Sequence, residues 1–193
     1  MKSALRIIIF VIVMGTASGA MLTGVNTLTL PMIEKNEELK LKSAVLDVLE
    51  IPYQKDTLLE LFSHNVKKIE KDKDVFFQGL DGSLAFTFRG PGLWGMIEGI
   101  ASINADFKTI KSIKIVHQEE TPGLGARIAD SEYLAQFKSK EFIPKLIFVA
   151  QGKASARNEV DAIAGATGST TALEKLLNEA LQKNINAFKD ASK

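Results

Sequence analysis

From Ile7 to Leu30 the sequence contains no charged residue. As a helix, a run of 24 residues reaches about 36 Å, enough to cross a hydrocarbon core of about 30 Å. This stretch therefore predicts a single N-terminal transmembrane helix. Gly15, Gly19 and Ala20 lie four or five apart and offer a small-residue face for packing on another membrane helix. The competing reading is a cleaved signal peptide with Ser18-Gly19-Ala20 at the cleavage site, but the apolar run continues well past Ala20. Lys2 and Arg6 precede the span, and Lys35, Lys40 and Lys42 follow it, so counting basic residues does not set its orientation.

Pro31 is expected to end the span or to start the next helix. Ile33 to Glu50 then reads as an amphipathic helix with Leu41, Ala44, Val45, Val48 and Leu49 on one face. A short helix is expected over 56–64, and the Lys/Asp-rich segment 65–74 reads as a solvated surface turn. From Val75 the pattern turns to strands. Val75-Phe76-Phe77 and Leu84 to Phe88 flank Asp81-Gly82, a hairpin turn signal. Residues 97–103 and 110–116 predict two further strands, 131–138 a short helix, and 146–150 a buried strand. The last segment, with Leu173, Leu176, Leu177, Ala180, Leu181 and Phe188 spaced by threes and fours, is an amphipathic helix. Strands first and a helix last point to an α+β, or mixed α/β, domain. The expected division is an anchor at 1–32, linker helices at 33–64 and a domain at 65–193.

The balance of 24 basic against 23 acidic residues leaves a net charge of +1, which gives no electrostatic pull on nucleic acid. With no cysteine, the chain excludes its own disulfides, thiolate catalysis and Cys-ligated clusters. His117 and Glu119 lack a third spaced ligand, so no metal site is expected.

Asp161-Ala162-Ile163-Ala164-Gly165-Ala166-Thr167-Gly168-Ser169-Thr170-Thr171 delivers small, hydroxyl-rich residues to the start of the last helix. Thr171 and Glu174 read as a capping box that fixes that start. Free amides and the helix dipole favour an anion such as phosphate there. An ordinary capped loop satisfies the same pattern.

Asp-x-x-x-Gly-Ala-Thr resembles the covalent flavinylation motif of the FMN-binding domain family. The resemblance implies FMN joined through its phosphate to the Thr167 hydroxyl by a separate flavin transferase, with Asp161 as the motif's acidic residue and Gly165, Ala166, Ser169 and Thr170 around the linkage. Ala164 stands where the family usually has Ser or Thr. Two more stretches are similar to the family: Glu120-Thr121-Pro122-Gly123-Leu124-Gly125, and Gly92-Leu93-Trp94-Gly95. The Glu120 stretch is shared by the G subunit of the Rnf complex and the C subunit of the sodium-translocating NADH:quinone oxidoreductase. The Trp94 stretch is more similar to the C subunit, while the compact length is more similar to the G subunit.

Glycines beside Leu124, Gly125 among them, would let backbone approach a flat ring, with Leu124 as an apolar face. Glu120 and Thr121 can hydrogen-bond the flavin's polar edge or ribityl chain. Trp94 covers a ring face or fills the core. The resemblance thus implies a membrane-anchored protein that bears covalent FMN on the extracytoplasmic side, with other membrane subunits as partners. A stand-alone extracytoplasmic flavin reductase and a non-redox assembly module are the alternatives.

Overall fold

A computed structural model describes residues 2–71 and 74–191. The chain divides into two compact units, Met1–Leu41 and Lys42–Lys193. The first unit is the bulk of helix α1, Lys2–Val48, which is long and apolar enough to cross a membrane. Its apolar side chains from Leu5 to Met14 are all at least half exposed.

Contrary to the sequence expectation, Pro31 neither ends nor starts a helix; it lies inside α1. A proline there removes one backbone bond and crowds the preceding turn. Helix formers on its C-terminal side, from Glu34 to Leu41, propagate the helix past it, because only nucleation is costly. Thr27 and Thr29 also return their hydroxyls to the carbonyls of Thr23 and Val25, one turn back in the same helix.

The second unit is built on a five-stranded antiparallel meander, β1 (Val66–Lys71), β2 (Asp74–Gly79), β3 (Leu84–Pro91), β4 (Met96–Ile103) and β5 (Ile110–Gln118), in that spatial order. β1 corrects the surface-turn reading of 65–74. Its alternation is weak because only Val66 is buried and Ile69 half-buried, so the lysines masked a paired strand. The short helix α2 (Leu58–Asn65) precedes it.

Alternation along β2 and β3 sends Phe76, Leu84, Phe86 and Phe88 into one core with the long helix α4 (Thr167–Ala191), which contributes Leu173, Leu176, Leu177 and Leu181. Each such side chain contributes about 1.5–3 kcal/mol when fully buried. The opposite face is also covered. Phe77 meets Phe62 of α2 edge-on at 6.0 Å. The buried Ser102 hydroxyl donates to the Val48 carbonyl at 2.5 Å, and Ala44, Val45 and Leu46 are buried in the same end of α1. A 3-10 turn (Gly125–Ala129), α3 (Ser131–Ala135) and a parallel pair, β6 (Ile147–Val149) and β7 (Glu159–Asp161), complete the unit. The predicted buried strand at 146–150 is shorter, and only half-buried at Phe148 and Val149; Leu146, just ahead of it, is the buried residue.

The Asp81-Gly82 turn joins β2 and β3 as expected. Partial burial raises the Asp81 pKa, but hydrogen bonds from Lys111 Nζ, Ser83 Oγ and the Ser83 amide outweigh it and hold the carboxyl at about 2. A folded-state pKa below the unfolded one contributes stability above about pH 4, and that stability is lost as pH falls toward 2. Asp81 is largely exposed, so the effect is small. Asp81→Asn should flatten the fall in urea midpoint between about pH 4 and pH 2. A midpoint curve parallel to wild type over that range would show that Asp81 does not carry it.

Candidate functional site

The strand register assembles the site. Pro91 pairs with Met96, so residues 92–95 form the tip of the β3–β4 hairpin, closed by the Gly92 amide donating to the Gly95 carbonyl at 2.7 Å. Ile97 pairs with Gln118, so the chain leaving β5 runs alongside that tip. Two residues on, Glu120 is 97% buried beneath it. Glu120 Oε1 accepts from the amides of Leu93 at 2.7 Å and Trp94 at 3.2 Å, and Oε2 accepts from Ser169 Oγ of α4 at 2.5 Å. Gln118 Oε1 accepts from the Glu120 amide at 2.6 Å. The three stretches singled out in the sequence thus meet on one carboxylate.

The glycines make that meeting possible. A Cβ on Gly92 would lie 2.2 Å from Glu120 Oε1, and one on Gly125 would lie 2.3 Å from Ser169 Oγ. Gly125 therefore makes room for protein atoms, where the sequence suggested a flat ring. Gly123 serves a different end. Thr121-Pro122-Gly123-Leu124 is a type II turn, with Gly123 at φ +75° and the Leu124 amide donating to the Thr121 carbonyl. The turn leaves Leu124 half exposed.

α4 begins at Thr167, four residues before the expected capping box. Thr171 lies within the helix, and Glu174 accepts from the Phe148 amide instead of capping. Thr170, inside the first turn, donates its Oγ1 to the Ala166 carbonyl at 2.8 Å and accepts from the Ile163 amide at 3.3 Å, which ties the preceding loop to the helix. The helix's own bonds begin with the Thr170 amide to Ala166, so the amides of Thr167, Gly168 and Ser169 precede them. The Thr167 hydroxyl is exposed and hydrogen-bonds nothing among the described residues.

Apolar side chains lie against the glycines on either side of Thr167 in the sequence. Leu93 Cδ2 is 2.6 Å from where a Gly168 Cβ would be, and Leu124 Cδ2 is 3.8 Å from that of Gly165. Leu93, absent from the residues the sequence suggested, was detectable only as the neighbour of Trp94. Trp94 is 73% exposed, so it does not fill the core. A cleft of about 350 Å³ opens beside Thr167, between Phe148, Gln151, Ile163 and Glu174.

Other predicted residues sit away from the hydroxyl or face inward. Asp161 Oδ1 accepts from the amides of Lys153 and Ala154, and Gln136 brackets its backbone, so it organises the turn after β6. Ser169, Thr170 and Ala166 are buried, and Thr121 is exposed on its loop. Tyr133, which the sequence did not single out, has a buried hydroxyl without a partner among the described residues. Burial, then the charges on Asp161 and Glu174, push its pKa up and keep it neutral.

The arrangement is an exposed hydroxyl at a helix start, beside a row of amides that precede the helix's own bonds. The FMN-binding domain family matches residues 92–182. The G subunit of the ion-translocating oxidoreductase complex of Methanosarcina acetivorans is 30% identical over 153 residues, 72% of this chain and 78% of its own length. The chain belongs to this family of FMN-binding-domain subunits.

The C subunit of the Na(+)-translocating NADH-quinone reductase of Pasteurella multocida is 38% identical over 85 residues, 42% of this chain but only 33% of that protein. Among solved structures, the C subunit of the same kind of reductase from Parabacteroides distasonis superposes with a TM-score of 0.70 at 23% identity, covering 81% of this chain and 94% of the other. NqrC of Shewanella oneidensis gives 0.66 at 20%, covering 74% and 90%. These two likenesses establish the fold.

Proposed function

We propose that this chain is the membrane-anchored, electron-carrying subunit of an Rnf-type ion-translocating oxidoreductase, with FMN esterified to Thr167. The observation that carries the reading is the free Thr167 hydroxyl at the head of α4, with Leu93 and Leu124 against the glycines on either side of it in the sequence. Support for the Rnf type comes from the Methanosarcina relative, which this chain matches over most of both lengths. The tip Gly92-Leu93-Trp94-Gly95 and the reductase relatives favour the Na⁺-translocating NADH:quinone oxidoreductase as the second reading.

Bound FMN supplies one- and two-electron transfer; the residues of this chain bind and orient it. The amides of Thr167, Gly168 and Ser169 present donors to a phosphate, aided by the helix dipole. Leu93, Trp94 and Leu124 exclude water from one side of a planar ring. Of the basic residues that could face the anion, Lys111, Lys114 and Arg157 pair with Asp81, Asp47 and Glu141, which leaves Lys153 to assist the helix amides. Residues 1–32 act as the anchor, and the compact unit that carries the site begins at Lys42. The family resemblance supports an extracytoplasmic domain, where lost FMN has no free pool to replace it, and maturation by a flavin transferase.

Co-expression with a flavin transferase should raise the intact mass by one FMN less one water. A chain of unmodified mass, alongside a substrate protein that the same transferase does modify, would refute the linkage. Co-purified membrane subunits that oxidise ferredoxin, as opposed to NADH with quinone, separate the two complexes.

A further inference from the structure

We propose that Glu120 is a positioning residue: it locks the Leu93-Trp94 tip onto the head of α4, and so sets the platform's register with the Thr167 hydroxyl. The flavin part of this inference rests on the function proposed above.

Glu119 packs beside Gly95 and accepts from the Met96 amide at 3.3 Å, but it does not reach α4 in any bond among the described residues. The tip's one internal bond joins Gly92 to Gly95, and the side chains of Leu93 and Trp94 are mostly exposed. Its attachments to α4 are the contact of Leu93 with Gly168 and the Glu120 bridge. The bridge is direct: two tip amides donate to one carboxylate oxygen, and the Ser169 hydroxyl donates to the other. Ser169 lies two residues from Thr167, on the first turn of the same helix.

The Glu120 side chain is buried, and its two oxygens take three donors from two separate elements. A buried polar group is unfavourable unless its bonds are made. Gly92 and Gly125 leave the space that lets them form.

Trp94 is the only tryptophan in the chain, and its own amide is bridged, so its fluorescence reports the lock without any flavin. The test is time-resolved anisotropy of the full-length apo protein in detergent. Glu120→Ala should raise the amplitude of fast local Trp94 motion about twofold over wild type. Ser169→Ala, which cuts only the helix side of the bridge and keeps a good helix former, should do the same. Glu120→Gln should restore the wild-type value, because Gln Oε1 accepts from both amides and its NH₂ donates to Ser169 Oγ.

Wild-type Trp94 motion in Ser169→Ala overturns the proposal, even where Glu120→Ala fails to fold. So does Ala-like motion in Glu120→Gln. In FMN-loaded protein, the visible circular dichroism of the flavin should weaken in Ser169→Ala and hold in Glu120→Gln. A wild-type chain that never acquires FMN defeats the proposed function and leaves the Trp94 result standing.

Discussion

Thr167→Ala, co-expressed with a flavin transferase, should give a chain with no flavin fluorescence after denaturation, whereas Thr167→Ser keeps the band. The expected loss is complete, because no neighbouring hydroxyl is equivalent. Ser169 and Thr170 are 2% and 1% exposed, and both hydroxyls are engaged, one with Glu120 and the other with Ala166. Thr171 is exposed but lies a full turn into the helix, past the free amides. Thr171→Ala should therefore keep the band. The fold should barely register the change at Thr167, with a stability loss below about 1 kcal/mol for an exposed side chain without partners. A fluorescent Thr167→Ala band would move the linkage elsewhere and remove the main support for the proposed function.

Phe76→Ala should cost about 3–5 kcal/mol, the range for truncating a buried aromatic residue. Phe76 is fully buried, and its ring meets that of Phe188 at 5.6 Å and 69°, an edge-on pair worth about 0.5–1.5 kcal/mol beyond area. Phe188 in turn stacks on Phe107, so three rings fasten the C-terminal end of α4 to the sheet. For a domain of this size the melting temperature should fall by about 10 °C or more, read by far-UV circular dichroism in detergent. A fall of one or two degrees would mean that α4 is held elsewhere, by the Leu173 and Leu177 layer alone.

Much of this molecule was legible from sequence where one local rule acted alone. Asp81-Gly82 marked the hairpin because turn chemistry is set within four residues. Strands β4 and β5 followed from alternation, and α4 from its spacing. The long apolar N-terminal helix followed from missing charge.

The failures came where distant parts of the chain decide. Pro31 suggested a boundary, yet helix on both sides carried through. Thr171 and Glu174 had the spacing of a capping box, but the helix starts four residues earlier and Glu174 was taken by Phe148 of β6. Val66 to Lys71 resembled a solvated turn because a strand with two inward residues shows almost no pattern; its partner β2 makes it a strand.

The site divided in the same way. The three loops that meet could be named from their residues. The part of Glu120 could not be read, since an acidic residue in a glycine loop has the character of a ligand group facing outward. Only the register of β4 on β5 turns it inward to Leu93, Trp94 and Ser169. Asp161 was equally opaque, because its partners, Lys153, Ala154 and Gln136, come from two other segments.

The meander has a consequence for the order of synthesis. Every strand from β1 to β5 pairs with its neighbour in sequence, so the sheet can form while the rest of the polypeptide is still leaving the ribosome. The tip and the Glu120 turn are then already made, but the hydroxyl that completes the cradle emerges only with α4. If the proposed linkage to Thr167 holds, a product stalled before that residue would contain all five strand sequences and still give an attaching enzyme nothing to act on, so a yellow chain would certify that its last helix was made.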